Sequence, residues 1–269
     1  MAIITISRGS YSKGKEIAEK VAQKLGYLCL PREEILREAS EKWKTPEVKL
    51  VRAIHDAPGI LERLGFGKEK YVVYLLATIL RRMKDDNVVY HGLAGHFFVK
   101  GVSHVLKVRV LADMADRVRL EMQREKTSAK ETLRILEKDD EERRKWSKYM
   151  YGVDTWDPSA YDLVLHIKKI TVEDAVDIIC HTVNRPHFQS TLESKKVMDD
   201  LALASEVKAT LIGFKPDIDV KADQGLVLIE TRTGLSEEER VIEEMKTMVR
   251  KVPGVKDVQL KAHLTLDIP

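Results

Sequence analysis

Two hydrophobic periods alternate along the first two thirds of this chain. Residues 2–7 are a short β-branched run closed by Arg8 and Gly9, which predicts a strand. Apolar residues then recur at Ile17, Ala18, Val21, Ala22 and Leu25, the spacing of one helical face, and Gly26 supplies a stop signal. The chain therefore opens as strand, glycine-containing loop, helix. Helices are predicted over residues 32–41 and 70–83, separated by a stretch punctuated by Pro46, Pro58, Gly59, Gly65 and Gly67. Residues 87–91 read as a second strand followed by a Gly92/Gly95 loop, and residues 105–111 as a third. A long, strongly charged helical region covers roughly residues 114–149, a fourth strand covers 162–167, and a helix covers 172–183. Strands alternating with long helices predict an α/β fold, a parallel sheet with helices on both faces. Such a sheet binds ligands at the carboxyl ends of its strands, where the glycine loops fall.

The pattern changes at residues 184–190, which read as a linker. Beyond them come a helix over about 194–207, an alternating segment at 217–221 and a β-rich run at 225–231. Ser236 and Glu239 have the spacing of a capping box. They open a helix carrying Val241, Ile242, Met245, Val249 and Val252, which Pro253 and Gly254 end. Val258, Leu260, Ala262, Leu264, Leu266 and Ile268 then alternate as a final strand. This αββαβ pattern is a small α+β unit. The expected division is residues 1–185, a linker at 186–192, and a second unit at 193–269.

Composition narrows the classes. Of 269 residues, 43% are hydrophobic and 33% charged, which excludes disordered, collagen-like and disulfide-scaffold chains. The formal net charge is only +3, so no field of the whole molecule calls for nucleic acid or a membrane surface as partner. Cys29 and Cys180 have no metal-ligand spacing and are expected to be reduced and buried. The longest apolar run, residues 71–80, is about half of the ~20 residues a membrane-spanning helix needs. With no basic leader segment at its start, the chain reads as cytoplasmic.

Gly9-Ser10-Tyr11-Ser12-Lys13-Gly14-Lys15 has the spacing G-x-x-x-x-G-K, placed between the first strand and the first helix. Glycines let the backbone curl so that successive N–H groups form an anion nest at a helix N-terminus, and Lys15 adds a point charge for phosphates. The alternative is a plain strand-to-helix turn. The pattern usually continues with Ser or Thr, whose hydroxyl reaches Mg²⁺; here the residue is Glu16.

Residues 1 to about 185 resemble the cytidylate kinase-like branch of the P-loop nucleoside monophosphate kinases. The resemblance rests on Ser7-Arg8-Gly9 with Gly14-Lys15-Glu16-Ile17-Ala18, on residues 88–92, on residues 105–117, and on Asp140 to Arg143 with Tyr149, Gly152, Trp156 and Tyr161 to Val164. It implies a P-loop NTPase-type sheet, ATP and Mg²⁺ as cofactors and a nucleoside monophosphate such as CMP or dCMP as acceptor. It also implies that Gly9 through Glu16 hold the donor phosphates and that Lys15 stabilises the transferring group. Arg143 and Arg144 would then act from a lid, with Arg117, Arg32 and Gly92 on the acceptor side. Arg143 and Arg144 also lie in a mixed-charge run that would serve equally as a solvated helix face. Leu93 and Pro31 stand where related sequences tend to carry an arginine and an aspartate. These departures keep a second reading open, a nucleotide sensor without turnover. His91 and His96 read as structural histidines. Asp113, Asp116 and Asp140 read as solvated, and no general base is nominated.

The C-terminal unit resembles the BON domain through Asp223-Gln224-Gly225, residues 226–229 and Val252-Pro253-Gly254-Val255. The resemblance implies a ligand-binding or regulatory role with a partner of unknown identity. Its alternating final strand offers an edge for pairing with a second copy.

Overall fold

In the first strand Ile3 and Thr5 face one side and Ile4 and Ile6 the other, and all four are buried. A strand apolar on both faces must be covered on both. A computed structural model, describing residues 1–9, 12–55, 69–92, 95–233 and 238–264, shows how. In chain order the elements are β1 (Ile3–Arg8), α1 (Gly14–Leu25), β2 (Leu28–Pro31), α2 (Arg32–Lys42), α3 (Glu47–His55), α4 (Glu69–Met83) and β3 (Val88–His91). There follow α5 (Gly95–Phe98), β4 (Val105–Ala112), α6 (Met114–Glu125), α7 (Ala129–Tyr151), β5 (Leu163–Ile167) and α8 (Val172–Val183). The last third holds α9 (Leu192–Leu211), β6 (Ile218–Asp223), β7 (Leu226–Thr233), α10 (Glu238–Val249) and β8 (Asp257–Leu264).

Five strands form one sheet in the order β2-β3-β1-β4-β5, every neighbouring pair parallel. On one face α1 and α8 bury Ile17, Val21, Ile179 and Val183 against Ile4, Ile6, Leu106, Val108 and Val110. On the other, α2, α3, α4 and α7 enclose Ile3, Leu30, Val88 and Tyr90. Trp146 of α7 is 1% exposed there, and its indole N–H donates to the Ala53 carbonyl at 2.7 Å, pinning α7 to α3. After β1 the chain runs to one side, to β2 and back to β3, and then crosses to β4 on the other side. This reversal opens a crevice at the carboxyl end of β1.

A second sheet, β6-β7-β8, pairs β6 with β7 antiparallel and β7 with β8 parallel. Its core joins Ile218, Val227, Ile229 and Val258 to Met245 and Val249 of α10 and to Val207 and Leu211 of α9. The first half of α9 serves a different core: Met198 and Ala202 pack among Val72, Leu75 and Ile79 of α4. Polar contacts reinforce this docking. Lys42 pairs with Glu206, and Lys195 reaches the buried Asp86, itself bonded to His104, at 3.1 and 3.0 Å.

Several expectations need correction. The charged region over 114–149 is two helices, because Lys126 adopts a left-handed backbone (φ +54°) and Ser128 caps a new start by accepting from the Glu131 N–H. A helix, α3, follows Pro46 where a loop was expected, proline being well tolerated just before a first helical turn. The edge strand β2 was not expected; it has four residues, and Leu28 is exposed. Cys180 is buried, but Cys29 is only half-buried on that edge; both are free thiols. Pro58, Gly59, Gly65, Gly67, the capping-box Ser236, Leu266 and Ile268 lie outside the described residues.

Candidate functional site

The carboxyl end of β1 delivers Arg8 and Gly9 into the loop before α1. Ser12 closes that loop, its hydroxyl donating to the Gly9 carbonyl at 2.9 Å. Lys13 stands at the N-cap with φ +68° and makes no side-chain cap. The first N–H groups of α1 are thus left without a capping side chain, and the positive end of the helix faces the crevice. Gly14 has a steric duty there. A Cβ on it would meet the Arg8 side chain at 2.6 and 2.7 Å, so the arginine stem lies directly across the first turn of α1. Gly92, at the end of β3, is equally constrained, since a Cβ would lie 2.7 Å from the Tyr90 hydroxyl and 3.0 Å from Arg32 Cβ.

These elements border a cleft of about 770 Å³. Six cationic side chains line it: Arg8, Lys13, Lys15, Arg32, Arg124 and Arg143. Four carboxylates accompany them, each already beside a cation. Glu16 lies 3.4 Å from Lys13 and 3.2 Å from Lys20, Glu19 3.8 Å from Lys15, Glu33 3.1 Å from Arg32, and Asp139 4.0 Å from Arg143. Arg143 is only 15% exposed. Burial, with the neighbouring Arg32 and Arg8 charges, disfavours its protonated form against the pull of Asp139 and Asp140. Cations crowded into a partly dry cleft repel one another and gain most when an anion fills the space between them. His91, 1% exposed beneath this cluster, is pushed down to about 4 by burial and by Arg8, and it is neutral at pH 7.

Of the residues expected at the site, the fold brings Ser12, Lys13, Gly14, Lys15, Glu16, Arg32, Gly92 and Arg143 to this cleft. Ser10 and Tyr11 lie outside the described residues. Gly9 lines a neighbouring cavity of about 330 Å³ together with Arg109, Arg117, Asp140 and Trp156. There Arg117 is clamped by Asp140 through two hydrogen bonds of 2.7 and 3.0 Å, and its guanidinium lies 3.2 Å from where a Gly9 Cβ would stand. Asp140, expected to be solvated, is instead 19% exposed and shared between Arg117 and Arg143. Arg144 points elsewhere. It pairs with Asp154 at 2.8 Å, holding that carboxyl well below the usual carboxylate range, and stacks over Trp156 at 4.6 Å. Asp113 pairs with His166 and Lys168, and Asp116 with Arg119. His96 is buried against Phe97 and Tyr161.

Arg8, Arg124 and Asp139 were not expected in the cleft. The signal for Arg8 was its place between β1 and the loop; the other two sit in mixed-charge helices with nothing local to distinguish them.

Residues 3–169 match the family model described as the Cytidylate kinase-like family. The chain belongs to the cytidylate kinase-like family. Among its relatives is a protein named cytidylate kinase from Methanosarcina acetivorans, 36% identical over 98 residues that make up 36% of this chain and 53% of that one. The chain thus spans about half the length of that relative. A second protein of the same name, from Archaeoglobus fulgidus, is 28% identical over 67% of this chain and 93% of its own length. An uncharacterised protein from Eubacterium ventriosum superposes with a TM-score of 0.55 at 18% identity, over 69% of this chain and all of its own, which shows a shared fold. Membership of the cytidylate kinase-like family supports nucleotide phosphoryl transfer as the general chemistry. The family match ends at residue 169, before α8 and the second sheet.

Proposed function

We infer that the chain transfers a phosphoryl group from ATP to a nucleoside monophosphate of the CMP or dCMP kind. The observation that carries this reading is the convergence of Lys15, Arg32 and Arg143 on the open N-terminus of α1. In the reaction an oxygen of the acceptor monophosphate attacks the γ-phosphorus of ATP. A new P–O bond forms, the bond to the β,γ-bridging oxygen breaks, and ADP leaves. A monophosphate dianion and ATP become two diphosphates of the same total charge, so no proton has to be removed and no general base is required. The work is positioning and charge neutralisation.

In this reading the α1 N–H groups and Lys15 hold the donor phosphates, Arg143 closes from α7 and Arg32 approaches from α2. Arg117 is held by Asp140 against Gly9, and Arg144 anchors the end of α7 through Asp154 rather than entering the cleft. Mg²⁺ is the usual companion of ATP in this chemistry. The cleft carboxylates do not fit a protein-built magnesium site, because each already faces a lysine or arginine. The metal would enter with the nucleotide.

We further propose residues 1–185 as the catalytic unit and 193–269 as a BON-like regulatory or ligand-binding unit. The core that α9 shares with α4 on one side and with the second sheet on the other would couple the two units. The competing reading, a nucleotide sensor without turnover, is motivated by Leu93 and Pro31 and by the appended C-terminal unit. A ³¹P NMR time course with Mg-ATP and CMP separates the two. Diphosphate signals that disappear in Lys15→Ala are expected; ATP resonances that shift without turnover would replace the kinase by the sensor.

A further inference from the structure

Two polar clusters lie away from the loop before α1. A groove of about 990 Å³ between α9 and the turns at Gly225 and Gly254 carries six cations, but four of them already pair with Glu206, Glu38, Asp86, Asp200 or Asp223. In the Asp86–His104–Lys195 cluster, Asp86 and His104 are fully buried and already paired, and Lys195, which lines that groove, pairs with Asp86. Arg8 differs from both, since it lines the cleft at the start of α1.

We propose that Arg8 is a catalytic residue of the transfer reaction, the cation that touches both the transferring phosphoryl group and the acceptor phosphate. This rests on the kinase reading above and deepens it. Three observations place Arg8 between the two halves of the cleft. Its Cβ, Cγ and Cδ lie over the first turn of α1, 2.6 to 3.1 Å from where a Gly14 Cβ would stand, which fixes the stem beside the N–H groups and Lys15 on the donor side. Its charge is felt by His91 at the end of β3, by Glu33 in the first turn of α2 and by Arg143 on α7, which border the acceptor side and the lid. Both Arg8 and Arg32 line the same cleft as Gly92, whose following residue is Leu93. An acceptor phosphate bound beside Gly92 thus draws its cations from β1 and α2 instead of from the loop after β3.

The chemistry suits an arginine more than a lysine. Two phosphates approaching for in-line transfer present oxygens on both sides of the reacting phosphorus, and a planar guanidinium can donate to two of them at once. Seating its stem on a glycine removes most of its rotational freedom before substrate arrives, so little ordering remains to be done in the transition state. The same geometry constrains Gly14: a Cβ there would meet Arg8 Cδ at 2.6 Å and Cβ at 2.7 Å, so it would displace Arg8 together with the end of β1 that carries it.

The test uses the full chain with Mg-ATP and CMP, comparing wild type with Arg8→Ala, Arg8→Lys and Gly14→Ala after circular dichroism confirms their fold. Arg8→Ala should lower kcat about a hundredfold, the scale of losing one preorganised charge donor. It should also raise the KM for CMP while changing ATP affinity less than about threefold, and added guanidinium should restore part of the rate. Arg8→Lys should fall between the two, and Gly14→Ala, which disturbs the loop as well as the arginine, should weaken ATP binding in addition. A rate within about threefold of wild type in Arg8→Ala, or a loss shared equally by ATP binding and transfer with no guanidinium rescue, would overturn the assignment. If wild-type protein transfers nothing, the kinase reading fails. Titration of CMP onto the Mg-ATP-bound protein then still reads the Arg8 contact, since equal CMP affinity for wild type and Arg8→Ala, or no CMP binding by either, overturns it and a tenfold weaker variant supports it.

Discussion

Replacing Asp140 by alanine should take from the buried Arg117 guanidinium its paired carboxylate. Arg117 is 8% exposed, and both of its hydrogen bonds in this direction go to Asp140 at 2.7 and 3.0 Å. Removing one member of a fully buried ion pair typically costs ~3–5 kcal/mol, because the remaining charge keeps its desolvation penalty without its partner. Asp140 is 19% exposed and borders a cavity that can admit water, so the expected loss is smaller, ~2–3 kcal/mol. The coupling between Arg117→Ala and Asp140→Ala in a double-mutant cycle should be ~2 kcal/mol. Urea unfolding followed by tryptophan fluorescence suits the measurement, since all three tryptophans, Trp43, Trp146 and Trp156, lie in residues 1–185. Because Arg117 rests against Gly9, Asp140→Ala should also weaken triphosphate binding several-fold even though Asp140 itself lines only the neighbouring cavity. A coupling under ~0.5 kcal/mol would place the pair with screened surface ion pairs and refute the reasoning.

Two further outcomes are expected. Burial holds His91 at about 4 and His96 at about 3, below the ordinary 6.5, so the unfolded chain binds more protons than the folded one between those values. Stability should therefore be fully present above pH 6.5 and fall as the pH drops toward 4; at pH 5 each histidine accounts for a loss of ~2 kcal/mol. His96→Phe should flatten the urea-midpoint profile, and a wild-type profile that is level between pH 7 and 5 would contradict this account. Met198, 1% exposed against α4, should cost ~2–4 kcal/mol when cut to alanine. A melt of the full chain followed by its tryptophans, which all lie in residues 1–185, should register the loss; an unchanged melt would mean that α9 does not share that core.

Much of the architecture was legible in the chain because strong local signals agreed with the tertiary outcome. The run at residues 2–7, the helical face from Ile17 to Leu25 with Gly26 behind it, and the segment 172–183 each name their element by period and stop signal. The weaker readings share a cause. β2 has four residues and owes its strand form to pairing with β3, and the break at Lys126 depends on a left-handed residue that carries no glycine to announce it. α3 is held by contacts with α4 and α7, including the Trp146 hydrogen bond to Ala53, which no window of sequence contains.

The site divides along the same line. The sequence by itself determined where a strand hands over to a helix start through a glycine-spaced loop, since that spacing is a local property of backbone conformation and helix polarity. The tertiary structure alone decided which charges face that loop. Arg143 and Arg144 are neighbours in one charge run, yet helix rotation sends one into the cleft and the other to Asp154 and Trp156. Arg8, Arg32, Arg124 and Arg143 come from four different elements, and their convergence depends on the strand order that sets β3 and β4 on either side of β1. Charge is a property of a residue, but an electrostatic field belongs to the positions of many residues, and only the fold sets those.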